Sequence, residues 1–386
     1  MAVLIVVVFL PLIFGGVLLA YADEGAELTE NISSILDSLD LTDIQNYLDT
    51  YGAEFLKSFG TTAREILEYL TGGNLNLNYS DYIGELFKVL FDGVIKLVPS
   101  FAQVAAISIL CAIASDAEGG IISAHTAKII RLACLALIML ILTSILIGVL
   151  SSAVSCIENI KRQVEIFTPI LVTLTVLTGG SEVGAIYQPS ALFLSGGAIE
   201  IVNGLIFPAT IAVIVLNFLS KLNPEISFTG VAALLKSVMK WVIGITVTVF
   251  GLFLTVQSTA SSLFNGMFFK VTKYLVGNSV PIVGNFLSAG VDMIVMAGSI
   301  VKSSLGIMGI VLLLGEILQP VLMLFSFSLI LKLTGAMIQP LGEKTLYSLF
   351  SDLAKDIEYL VAGILMVAFM YALVVMLIIN SAYAFI

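Results

Sequence analysis

The sequence predicts an all-α fold: a polytopic helical integral membrane protein with a small N-terminal extracytoplasmic helical domain. Three observations lead there. First, no charged residue occurs from Leu97 to Ser115, Leu132 to Ile157, Ile201 to Ser220, Trp241 to Phe269 or Tyr359 to Ile386. An apolar run of about 20 residues is long enough to cross a bilayer as a helix. Second, 59% of the chain is hydrophobic and only 11% is charged, whereas a soluble domain is about a quarter charged. Third, the charge is segregated. Residues 23–92 carry 14 acids against Lys57, Arg64 and Lys88, whereas residues 93–386 carry 13 acids and 14 bases. An acidic head thus precedes a nearly neutral membrane domain.

Residues 1–22 read as a signal peptide. Ala2 to Leu19 is apolar, and Ala20-Tyr21-Ala22 ahead of Asp23 fits a small-residue cleavage site. No basic region precedes the apolar stretch, so an uncleaved anchor is the alternative. Either form exports the head and places residues 23–92 outside the cytoplasm.

The head, residues 23–92, reads as short amphipathic helices. Ile32, Ile35, Leu36 and Leu39 fall on one face. Thr42 with Gln45, and Thr62 with Glu65, have the spacing of capping boxes. Ile44, Leu48 and Tyr51 continue one stripe, and Ile66, Tyr69 and Leu70 another, before Gly72-Gly73 ends the helix. Two readings stay open: a small bundle with a solvated acidic exterior, or a surface that docks a partner. The acidity speaks against nucleic acid as that partner.

The membrane domain, residues 93–386, is expected to hold about seven transmembrane helices. They fall near 94–114, 130–152, 200–220, 240–260, 280–300, 305–331 and 359–381. Region 166–197 is apolar but interrupted by Gly179-Gly180, Glu182, Pro189 and Gly196-Gly197, so a broken or re-entrant element is expected there. Segment 335–358 carries Leu346, Leu349, Phe350 and Leu353 on one side and could lie flat at the interface. Lys128, Arg131, Lys221, Lys236 and Lys240 suit the cytoplasmic side. This span count, however, sends Lys270 and Lys273, and also Lys332, Lys344 and Lys355, outward, against the same rule.

Catalytic patterns are missing. His125 is the single histidine, which rules out an H-E-x-x-H zinc site. There is no phosphate-binding G-x-x-x-x-G-K-[ST] loop and no G-x-S-x-G elbow. No cofactor is expected. Cys111, Cys134 and Cys156 are odd in number and absent from the head, so they read as buried small hydrophobes. Glu316, Asp292, Glu200 and Glu182, with Lys96 and Lys302, sit near membrane depth. Charges there face protein or water because lipid penalises them. Glu316 is the leading candidate, as pathway lining or as a charge locking helices together. Gly244, Gly251, Gly290, Gly298, Gly306 and Gly309 would let helices approach closely.

Two apolar motifs are the most specific features. One runs Ser279-Val-Pro-Ile-Val-Gly-Asn-Phe-Leu-Ser-Ala-Gly-Val-Asp292 and contains Pro281 and Gly284. The other runs Ala336-Met-Ile-Gln-Pro-Leu-Gly342 and contains Gln339, Pro340 and Gly342. With them, and with its signal segment, exported head and polytopic body, the chain resembles the stage III sporulation protein AE family of endospore-forming bacteria.

The resemblance implies a non-enzymatic membrane subunit, acting as platform or pore component. It would belong to the eight-member stage III A complex, in the mother-cell membrane that surrounds the forespore. Its implied partners are the other stage III A proteins, including a secretion-type ATPase and ring-forming subunits, and a forespore membrane protein across the intermembrane space. Together they form a channel or secretion-like conduit. The alternative is a self-sufficient secondary transporter, with a polar site around Glu316 and the broken 166–197 region.

Overall fold

The computed structural model describes residues 26–51, 61–72, 95, 97–99, 101–111, 113, 124–178, 193–222, 227–279, 283–341 and 343–380, with the backbone alone for 26, 27, 51, 124, 127, 195, 257–279, 283–292, 341 and 380. Among these residues every regular element is helical. The head contributes α1 (Ala26–Ser38), α2 (Thr42–Tyr51) and α3 (Ala63–Thr71). The body contributes α4 (Ala124–Leu177), α5 (Phe207–Leu222), α6 (Thr229–Ser279), α7 (Val283–Ile338) and α8 (Lys344–Asn380). Residues 97–99 and 101–111, within the expected span at 94–114, are helical as well.

Among the described residues five helices are long and apolar enough to cross a membrane: Lys128–Leu177, Gly196–Leu222, Thr229–Val256, Met293–Ile338 and Lys344–Ile379. Three expectations about them change. The spans sought at 280–300 and 305–331 are one helix, α7. The stretch 166–177, expected to begin a broken element, continues α4 without interruption; residues 179–192 lie outside the described set. Segment 344–358 does not lie flat on lipid. It is the first half of α8, and Leu346, Leu349, Phe350 and Leu353 are 0–2% exposed against the protein interior.

Length explains these differences. At 54 and 56 residues, α4 and α7 are about 81 and 84 Å long, well beyond the bilayer core of about 30 Å. Polar interruptions along them therefore need not mark loops. They mark where a helix leaves lipid or meets another helix.

The five helices alternate in direction. Arg131 of α4 meets Glu343 at the α7–α8 elbow, whereas Thr178, just past α4, lies against Gly298 near the other end of α7. Close packing depends on glycine at three points on α7. A Cβ on Gly306 would run into Ile379 Cδ1, one on Gly309 would stand 3.1 Å from Phe167 Cδ1, and one on Gly298 2.7 Å from Thr178 Cγ2. Gly244 and Gly251, also expected at helix contacts, face open space instead.

Two π-helical turns, Leu194–Ala198 and Val202–Ile206, lead into α5 and flank the single turn Ile199–Ile201. They fall on Gly196-Gly197 and Gly204, where glycine weakens the α-helical preference.

The head is not a separate bundle. Helices α1 and α3 pack on α7, and α2 packs on α4. Ile44 and Leu67 are fully buried in the same apolar core as Leu305 and Phe167. The acids stay outside, among them Asp40, Asp43, Asp49, Glu65 and Glu68.

Thr62 and Glu65 form the expected capping box of α3. Hydrogen bonds from the Thr61 backbone, and further ones from the Thr61 hydroxyl and the Thr62 backbone, hold the Glu65 carboxyl below its ordinary range. The Thr42–Gln45 pair does not box. Asp40 accepts from the Thr42 backbone N–H instead, and Gln45 turns to Asp49 and to the backbone of Ala63. The charged Asp40 carboxylate outcompetes the Gln45 amide oxygen for that N–H.

Candidate functional site

Glu316 sits half-buried in the middle of α7. Pro320 follows it by four residues, within the same helix. Proline has no N–H, so the Glu316 carbonyl loses its i+4 helical donor. The Cys156 thiol of α4 takes that place, with Sγ 3.7 Å from the carbonyl oxygen. One turn further along α4, Asn159 Nδ2 donates to Glu316 Oε1 at 2.7 Å. Backbone and side chain of one residue are thus both held by α4. From the head, Tyr47 Oη donates to the Asn159 carbonyl at 3.5 Å. The node joins α2, α4 and α7 at one level.

A further turn along the seam, Gln163 donates through Nε2 to the Gly309 carbonyl. Gln163 is fully buried, and so are Tyr371 and Lys302 nearby on α8 and α7. These groups form a polar line within an otherwise apolar three-helix contact.

A second cluster joins α5, α6 and α8. Asp356, with no exposed surface, accepts from Asn217 Nδ2 at 2.5 Å and pairs with Lys236 Nζ at 2.5 Å. Lys221 Nζ lies 3.4 Å from Asp352 Oδ2. Such a pair adds little net stability, but removing one partner strands a buried charge at a cost of about 3–5 kcal/mol. The cluster fixes the three helices in register.

At the elbow, Gln339–Leu341 is a single 3-10 turn. Arg131 Nη2 donates to Thr345 Oγ1 at 2.6 Å and to Glu343 Oε2 at 3.3 Å. The second sequence motif therefore makes the hairpin that returns α8 alongside α7. Gln339 and Pro340 are exposed there, and Gly342 lies outside the described residues.

The other sequence candidates scatter. Glu200, on the turn between the two π-helices, pairs with Lys161 of α4 at 3.1 Å and remains exposed. It does not join Glu316. Glu182 and Pro281 lie outside the described residues, and for Gly284 and Asp292 only the helical backbone is described.

Sequence reading missed Asn159, Asn217, Lys236 and Asp356. Asn217 had a legible signal, being a lone amide inside the uncharged run 201–220. No group of three or more His, Cys, Asp or Glu that could hold a metal occurs among the described residues. The cysteines are free thiols, with Cys111 and Cys156 buried as expected and Cys134 half-buried.

Long apolar helices alternating in direction, with charges paired inside them, define a multi-pass helical membrane protein. A family model described as stage III sporulation protein AE matches residues 61–382. The chain belongs to that family. It is 22% identical over 363 residues to the stage III sporulation protein AE of Bacillus subtilis (strain 168), covering 94% of this chain and 90% of that protein. No solved structure matches.

Proposed function

We propose that the chain is a non-enzymatic membrane subunit of the stage III A sporulation assembly, serving as platform or pore component in the mother-cell membrane around the forespore. Family membership carries the reading. The architecture supports it: paired charges hold the helices, and the head docks on the long helices that it precedes. In this reading the head end faces the intermembrane space and meets ring-forming subunits and the forespore membrane protein. The elbow end, rich in Lys and Arg, faces the cytoplasm and the secretion-type ATPase.

The transporter alternative draws no support from the geometry. Glu316 is held by Asn159, and Glu200 pairs with Lys161 at the exposed surface and does not join it.

Affinity capture from detergent-solubilised membranes of sporulating cells tests the proposal. The other stage III A proteins should come down with the chain, and recovery of the chain alone would sink it. Replacing Glu316 by Gln should lower stability and leave the recovered partner set unchanged.

A further inference from the structure

Exposed large apolar side chains mark where lipid touches the bundle. On α4 they run from Ile129 to Ile147, with Val176 and Leu177 at the far end of the helix. Beyond Ile147 the same outward face turns polar at Ser151, Ser155, Glu158, Arg162 and Glu165. From Ile129 to Ile147 the helix rises about 27 Å, close to the thickness of a bilayer core. On α7 Ile294 is exposed near the head end, and Phe325, Leu329, Leu333 and Met337 form an exposed apolar stripe toward the elbow. In contrast, α7 from Val301 to Ile310 is buried throughout. The lipid belt therefore includes the elbow-proximal half of α4 and α7, and α7 from Val301 to Ile310 beside the head is covered by protein.

Lys332 lies inside this belt. The register of α4 against α7 is set by Arg131 with Glu343 and Cys156 with Glu316. Lys332 falls between them, about 16 Å along the helix from Glu343 and about 24 Å from Glu316. It is also flanked by Leu329 and Leu333 of the apolar stripe. Lys332 Nζ pairs with Glu358 Oε1 at 3.1 Å, yet the two side chains are 56% and 62% exposed. The other ion pairs at this level turn inward: Lys221 and Asp352 are 18% and 34% exposed, Lys236 and Asp356 25% and 0%. The bundle thus buries two ion pairs here and leaves the third uncovered. Lys355, one turn from Glu358, is exposed beside it. Exposed charges do not persist against acyl chains. They face water or a protein interior.

We infer that the α7–α8 face bearing Lys332, Lys355 and Glu358 borders water within the membrane and lines a path for hydrated polar solutes. Lys332 and Glu358 offset each other and Lys355 leaves the wall one charge positive, so the path favours hydrated anions over cations. The inference rests on the pore-component reading and assigns that role to a particular face.

Thiol labelling in native membranes tests it. Cys111 and Cys134 are replaced by Ala and Cys156 by Ser, and single cysteines are placed at Lys332 and at Lys355. The Lys355→Cys variant leaves the ion pair intact, so it reports even where Lys332→Cys disturbs folding. Leu137→Cys and Leu140→Cys on the lipid side of α4 serve as references. A charged methanethiosulfonate reagent should modify positions 332 and 355 at least tenfold faster than 137 and 140. Equal, slow rates would overturn the inference. So would protection that appears only with the other assembly proteins present, because protein and not water would then cover the face. Fast labelling combined with capture of the chain alone would instead reject the assembly reading and leave the water-lined face standing.

Discussion

Proline at position 320 removes one backbone donor from α7, and the carbonyl left over belongs to the one acid in the middle of the seam. The Cys156 thiol donates to that carbonyl, and Asn159 holds the side chain. A double-mutant cycle would expose the coupling. In the natural background, Cys156→Ala should cost about 0.5–1.5 kcal/mol, the usual net value of one hydrogen bond. In a Pro320→Ala background residue 320 regains its N–H and bonds the Glu316 carbonyl, so the same change should cost close to nothing beyond the lost packing. Detergent-phase thermal unfolding of the four proteins gives the coupling energy; equal costs in both backgrounds would show that the thiol does not substitute for the missing donor. Glu316 was legible in the sequence as the lone acid of a long apolar run. Its partners were not, because Cys156 and Asn159 lie on a helix about 160 positions away and nothing in spacing ties them to it.

At the level of the helix, uncharged runs found the spans, and charge found the wrong ends. Glu158, Lys161, Arg162 and Glu165 look like a loop between two apolar stretches, yet α4 passes straight through them. Lys302 looks like a boundary, yet it is fully buried inside α7. A hydropathy pattern registers solvent, and here the second solvent for a helix is the head, which sequence alone cannot assign to a surface. Glycine carries a similar ambiguity. Gly306 and Gly244 read alike, but the first meets Ile379 and the second meets nothing. Gly306→Ala should force Ile379 aside and cost about 1–3 kcal/mol, the usual range for overpacking. Gly244→Ala, on an exposed helix face, should be neutral or stabilising by up to about 1 kcal/mol through helix propensity. Melting temperatures of the two variants in one detergent decide it; equal shifts would mean that α7 and α8 are not in contact at Gly306.

For the whole molecule, merging 280–300 with 305–331 changes one crossing and so reverses everything after it. With α7 a single helix, Lys344 moves to the end that already holds Lys128 and Arg131, while Lys332 and Lys355 fall within the belt. Lys344 then agrees with the positive-inside bias, whereas Lys270 and Lys273, near the far end of α6, stay on the opposite side. The prediction is a sidedness. Thr50, exposed on the head, should be on the outer face, and Gln339, exposed at the elbow, on the cytoplasmic face. A single continuous α4 separates them, because Asn159 near Tyr47 and Arg131 near Glu343 are 28 residues, about 42 Å, apart on one helix. That distance exceeds the hydrocarbon core, so the two sites cannot share a side if the belt lies between them. Single cysteines at 50 and 339 in intact protoplasts, treated with an impermeant maleimide, should label at 50 at once and at 339 only after permeabilisation. Labelling of both from outside would break the single crossing of α4, and labelling in the opposite order would keep the bundle and invert it.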